Sequence, residues 1–168
     1  MPNPSDVFTK QRRFTAAVNM EGSVKVAKYT FGQRSAGELK TCSEALQRVT
    51  RRALGYGVLD FAILEGHRGQ AKQDRYYAEG KSKLKFPKGN HNAYPSNALD
   101  ATPCGADGKV LPMDHKGLRD ALHLLAGLMF AAAAEEGVVL RWGGAWDGPA
   151  KVAESQRFDD LFHFEVKE

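Results

Sequence analysis

Leu39, Leu46, Val49, Ala53 and Leu54 recur at helical spacing and predict one helix that begins at Ser35 and breaks at Gly55-Tyr56-Gly57. Ser35 followed by Glu38 matches a capping box at its start. Arg48, Arg51 and Arg52 fall on the other side and read as a solvated face. Residues 58–64 are almost continuously apolar over a strand's length, predicting a buried strand that ends in Glu65-Gly66-His67-Arg68. A short helix follows over residues 70–79, stopped by Gly80, and then a basic loop over residues 81–89. Ala98-Leu99-Asp100-Ala101 reads as a short strand. Asp114 offers a cap for a long helix that runs to Glu136 and ends at Gly137. A strand over 138–142, a glycine-rich turn over 143–148 and a last strand over 161–166 complete the pattern.

Length and composition narrow the class. A chain of 168 residues with 42% hydrophobic content suits one globular domain with its own core. No apolar run approaches the ~18 residues of a membrane span. The longest apolar stretch, 118–134, is interrupted by Arg119, Asp120 and His123. Cys42 and Cys104 lie far apart with no CxxC pairing, so reduced thiols are expected rather than a disulfide framework. The net charge of +4 suits an acidic partner, nucleic acid or an anionic cell-wall polymer, and does not choose between them. Residues 1–30 carry Lys10, Arg12 and Arg13 and read as a solvated arm, with a short strand fitting residues 23–29. Met1-Pro2-Asn3-Pro4-Ser5-Asp6 lacks the charged-then-apolar order of a signal peptide, so synthesis in the cytosol is expected.

The chemistry concentrates in two segments. His91 and Asp100 stand nine residues apart across a turn containing Pro95 and Ser96, and an imidazole and a carboxylate are both zinc ligands. The last strand supplies His163, with Asp160 three residues before it. Catalytic zinc takes three protein ligands and keeps a fourth position open, so His91, Asp100 and His163 make a candidate set. Asp160 is then the candidate proton carrier, with Glu165 and Asp159 as rivals for that role. Arg68 at a strand end is placed equally well to hold an anionic group or to lie at the surface in a turn. The Trp142 to Trp146 corner is either a packed turn or one wall of a substrate groove. It is not a phosphate loop, because the GK[ST] ending is missing.

Taken together, these pieces resemble the zinc D-Ala-D-Ala metallopeptidases. That family includes vancomycin-resistance dipeptidases and carboxypeptidases, and phage L-alanyl-D-glutamate endopeptidases that serve as endolysins. The resemblance rests on His91 to Asp100 with Pro103, on Trp142-Gly143-Gly144-x-Trp146, and on Asp160-x-x-His163-Phe164-Glu165. Phe31-Gly32-Gln33-Arg34-Ser35, the strand leading to Arg68, and Gln73 are most similar to the endolysin branch. Two positions depart from the family pattern. Gly89 stands where a serine is usual, and the His91 to Asp100 spacing is nine rather than seven.

The resemblance implies one zinc per chain on His91, Asp100 and His163, with Asp160 as the catalytic carboxylate. Arg68 would steady the charge that develops on the scissile carbonyl, and Gln73 would lie near the substrate. Trp142 is the further candidate for substrate contact. The expected fold is α+β, a small and mainly antiparallel sheet with helices packed against it and the zinc at its open side. Residues 31–168 form the expected catalytic domain and residues 1–30 an unassigned arm. The partner implied is the stem peptide of bacterial peptidoglycan, cut by a monomer that waits in the host cytoplasm until lysis; no nucleic-acid partner is expected. The alternatives are a D-Ala-D-Ala carboxypeptidase and a non-catalytic binder of cell wall or nucleic acid. A closed structural zinc site is disfavoured because both cysteines lie outside the constellation.

Overall fold

The structure, a computed structural model, describes residues 29–148 and 159–167. The basic cluster at Lys10, Arg12 and Arg13 lies outside them, as does the strand expected over 23–29 except for Tyr29. Helices α1 (Gln33–Lys40) and α2 (Glu44–Gly55) lead into strand β1 (Phe61–Glu65) and helix α3 (Gln70–Ala78). A single 3-10 turn (Asn90–Asn92), strand β2 (Ala98–Pro103), helix α4 (Leu118–Glu136) and strands β3 (Leu140–Gly143) and β4 (Asp160–Val166) follow. The strands form one four-stranded sheet in the order β1-β2-β4-β3, every pair antiparallel. The expected α+β class is the observed one.

One face of the sheet is covered by α2 and α4. Leu122, Leu125, Ala126, Met129, Ala132 and Ala133 make the buried stripe of α4, at the three- and four-residue spacing that keeps side chains on one side. All but Leu122 join Leu46, Val49 and Ala53 of α2 and Phe61, Ile63, Leu99, Ala101, Trp142 and Phe164 of the sheet in one core cluster. Gly137 ends α4 in the left-handed region at φ 65°, and Val138 N–H donates back to the Ala133 carbonyl at 2.9 Å. Arg48 and Arg52, expected to be solvated, both reach Glu136 and tie α2 to the end of α4. The arginine side chains are nearly half exposed, so solvent screening leaves these pairs little net contribution to stability. Cys42 is buried, which pushes its thiol up to about 12, and neither it nor Cys104 is disulfide-bonded.

Several boundaries differ from the sequence expectation. The first predicted helix is two, because the backbone at residues 41–43 pairs with Ser96 instead of continuing the helix. Ser96 N–H donates to the Thr41 carbonyl and Ser43 N–H to the Ser96 carbonyl, both at 2.8 Å. The Ser35–Glu38 capping box does not form, since Gly32 is the N-cap. Both side chains serve tertiary contacts: Ser35 Oγ accepts from Ile63 N–H at 3.1 Å and Glu38 Oε2 from Gly66 N–H at 3.0 Å. Asp114 does not cap α4, which starts after Gly117. Val58 and Val139 are exposed outside their strands rather than within them.

Gly66 is where α1 meets the end of β1, and a β-carbon there would overlap the Thr41 hydroxyl and the Glu38 carbonyl. Gly66→Ala should therefore destabilise the protein by about 1–3 kcal/mol, the usual cost of overpacking. Thermal unfolding should show a midpoint lower by roughly 3–10 °C. An unchanged midpoint would mean that this junction is looser than the contacts require.

Candidate active site

The pairing of β2 with β4 sets Asp100 directly across from His163. Opposed residues of an antiparallel pair point to the same side, here away from the helices. The third member, His91, comes from the 3-10 turn. Its carbonyl accepts from Arg68 N–H at 2.7 Å, and the turn closes through Asn92 N–H to the Gly89 carbonyl at 2.8 Å. His91 and His163 are buried, while the Asp100 side chain keeps one-fifth of its surface exposed.

The ligand atoms form a nearly equilateral triangle. His91 Nε2 is 3.2 Å from His163 Nδ1, and each nitrogen is 3.3 Å from Asp100 Oδ1. A tetrahedral ion with bonds of about 2.0–2.1 Å needs ligand atoms about 3.3 Å apart. The far nitrogen of each ring is occupied. His91 Nδ1 donates to the Gly66 carbonyl at 2.7 Å, and His163 Nε2 to Glu165 Oε2 at 2.9 Å. With both rings neutral, as metal binding requires, those bonds leave the lone pairs of His91 Nε2 and His163 Nδ1 facing Asp100, and an outer partner of this kind orients a histidine ligand. The cluster can hold a metal ion.

Electrostatics agree with a site for a cation. Burial works to raise the Asp100 carboxyl, but hydrogen bonds from His163 and His91 hold it well below the ordinary carboxylate range. Burial opposes a charge on His163, yet Asp100 and Glu165 push its pKa up to about 9, so the ring holds a second proton that a bound metal would displace. The Glu165 carboxyl resists burial through His163, Asn90 and Arg141 and falls to about 2. Asn90 Nδ2 donates to it at 2.6 Å, and Arg141 pairs with its other oxygen. Asp160 is the opposite case: burial first, then the negative charge of Asp100, raise its carboxyl above the usual value. A carboxyl raised in this way takes up a proton more readily than the neighbouring carboxylates that are held as anions.

Asp160 lines the same cavity as the triad, a space of about 540 Å³ that Arg68, Gln73, Arg141 and Trp146 also border. Arg68 lies along Glu65 with two hydrogen bonds, at 3.0 and 2.7 Å, and reaches within 3.6 Å of Asp100 Oδ2. Gln73 is 1% exposed, its Oε1 accepting from Arg68 at 3.3 Å and from Asn92 at 3.2 Å. Of the sequence candidates, His91, Asp100, His163, Asp160, Arg68 and Gln73 thus share one cavity. Trp142 does not. It is fully buried, its indole N–H donates to the Leu161 carbonyl at 2.8 Å and its ring stacks on Phe164, so it lines no part of that cavity. Trp146 is the member of that corner at the cavity, with its ring 5.6 Å from that of His163.

The rivals of Asp160 are also placed. Glu165 is committed to His163, Asn90 and Arg141, and Asp159 pairs at 3.6 Å with Arg119. Glu65, Asn90 and Arg141 were not singled out from the sequence as site residues. Arg141 had a usable signal, since it alternates with the core residues Leu140 and Trp142 and must face the other way. Asn90 and Glu65 had none beyond adjacency to His91 and a spacing of three from Arg68.

A family model described as phage L-alanyl-D-glutamate peptidase matches residues 27–166. The chain is 34% identical over 120 residues to the L-alanyl-D-glutamate peptidase of Escherichia phage T5, covering 71% of this chain and 82% of that protein. The crystal structure of the Serratia marcescens L-Ala D-Glu endopeptidase ChiX superposes with a TM-score of 0.65 at 26% identity. That match covers 83% of this chain and 91% of the other. With the match spanning every element of the fold and both halves of the site, the chain belongs to the phage L-alanyl-D-glutamate peptidase family.

Proposed function

We propose that the protein is a zinc-dependent peptidoglycan peptidase that cuts the L-Ala to D-Glu bond of the stem peptide and acts as a phage endolysin. The observation that carries this reading is the triangle of His91 Nε2, Asp100 Oδ1 and His163 Nδ1 at 3.2–3.3 Å, with both far ring nitrogens already bonded. Two imidazoles and one carboxylate are a donor set that suits zinc. When bound there, zinc supplies a Lewis acid that polarises the peptide carbonyl and makes water a nucleophile near neutral pH.

The chain's own groups handle the protons and the charge. Asp160 accepts a proton from the attacking water and delivers it to the departing amine nitrogen as the carbonyl carbon–nitrogen bond breaks. Arg68, held flat by Glu65 and backed by the Tyr76 ring 4.8 Å away, presents positive charge where the carbonyl oxygen becomes negative. Glu165 and the Gly66 carbonyl fix the two histidine rings in the orientation that offers the correct nitrogen. The names of the similar proteins favour the L-Ala to D-Glu bond over a D-Ala-D-Ala end. Among the described residues no helix is long and apolar enough to cross a membrane, which fits release from the host cytoplasm at lysis.

Incubation with a defined L-Ala-D-Glu stem peptide should yield fragments, identified by mass, that end in L-Ala and begin with D-Glu. Chelator should stop the reaction and added zinc restore it; cutting that continues after complete metal removal contradicts the proposal. Asp160→Ala should lower turnover by a factor of about 10²–10⁴ while each chain still binds one zinc. Full activity in that variant would move the proton role to Asp159. Glu165→Gln should weaken metal affinity by about 10–100-fold, as loss of a histidine's outer partner does elsewhere. Equal affinity would show that the carboxylate does not orient His163.

A further inference from the structure

The cavity carries more positive charge than the catalytic groups use. Of its basic lining residues, Arg68 is bound to Glu65, Arg141 to Glu165, and Lys81 to Glu79 at 2.7 Å. Lys83 and Lys88 line the same cavity, and among the described residues neither belongs to an ion pair. The acidic lining groups, Asp100, Asp160 and Glu165, all come from β2 and β4, whereas the unpaired lysines come from the loop over residues 81–89. A peptide in the cavity therefore meets an acidic sheet on one side and an uncommitted basic loop on the other.

Lysines on an exposed loop ordinarily report only solubility, but this loop is fastened to the site at two points. Gln73, buried on α3, donates from Nε2 to Ser82 Oγ at 2.9 Å and to the Leu84 carbonyl at 2.5 Å, on either side of Lys83. Gly89 N–H, next to Lys88, donates to Asn92 Oδ1 at 3.0 Å. Asn92 in turn donates to the Gln73 and Arg68 oxygens at 3.2 and 2.9 Å. The loop and the turn bearing His91 are thus one hydrogen-bonded unit. A loop backbone held in place before binding loses less freedom on contact, and the charges it carries discriminate between ligands by charge.

Resting on the function proposed above, the substrate has an asymmetry that matches. The L-Ala half is acylated and carries no charge. The D-Glu half is linked onward through its γ-carboxyl and keeps a free α-carboxylate, and a following diaminopimelate adds another carboxylate. We infer that Lys83 and Lys88 hold a free carboxylate on the acidic half of the stem peptide. They are substrate-selecting residues, and walls in which that group is amidated are poor substrates.

Four peptides test this: D-Glu or its α-amide, each followed by meso-diaminopimelate or L-Lys. The full chain and a Lys83→Ala/Lys88→Ala variant are compared by kcat and KM, with Lys85→Ala as control because Lys85 sits over Tyr77, outside the cavity lining. On the peptide with every carboxylate free, the double variant should raise KM about tenfold with kcat little changed, as the loss of two partly exposed ion pairs implies. The rise should shrink as salt is added. It should vanish on the two peptides that lack the recognised carboxylate, and that pair identifies the group as the D-Glu or the diaminopimelate one. An equal KM change on all four peptides, or none on any, overturns the inference while leaving the peptidase activity in place. If the unmodified protein cuts none of the four, the activity itself fails and the inference goes with it.

Discussion

Asp100 opposite His163 is the contact on which the site depends, because antiparallel pairing leaves the two side chains no choice of face. A carboxylate and an imidazole held side by side at 3.3 Å, with a second imidazole turned in from His91, concentrate three lone pairs at one point. Such a cluster is costly without a positive charge to satisfy it. Much of the surrounding structure supplies the opposing groups: Gly66 and Glu165 behind the histidines, Arg68 beside Asp100, and Arg141 and Asn90 behind Glu165. The site is a chain of compensated charges rather than three ligands on a scaffold.

This compensation separates the carboxylates by role. Glu65 and Glu165 are surrounded by cations or donors and are held as anions, pulled below the ordinary range. Asp160 has burial and the charge of Asp100 against it and is raised instead. Groups whose surroundings push them apart can perform different tasks in one cavity. Gln73 extends the same network outward, so that the basic loop and the histidine turn are positioned by one buried amide.

The site owes part of its shape to interruptions in regular pairing. Between Ile63 and Glu65 the register of β1 against β2 shifts, and Glu65 comes to lie across from Asp100 instead of continuing the core face of Ile63. Between Trp142 and Gly143 it shifts again, pairing Gly143 with Asp160. Strict alternation along β4 from His163 would turn Leu161 toward the cavity and Asp160 toward the core. The observed arrangement is the reverse: Leu161 packs on the core and Asp160 borders the cavity that His91, Asp100 and His163 line. Irregularities of this kind re-aim side chains next to active sites.

Residue type and local spacing were enough to nominate His91, Asp100, His163 and Asp160, because few side chains can bind a metal or carry a proton beside it; Arg68 was left open by position and pointed to the site only through the family resemblance. Periodicity was likewise enough for the α+β class and for the long helix ending at Gly137, since burial imposes its period on the apolar residues. Tertiary structure alone decided that the first helix breaks at residues 41–43, where backbone bonds to Ser96 replace helical ones. It also turned Ser35 and Glu38 from a cap into ties to β1, buried Trp142 while leaving Trp146 at the cavity, and committed Glu165 so that Asp160 remains the available carboxylate. Each of those outcomes turns on a partner distant in sequence, and local pattern carries no record of which partner arrives.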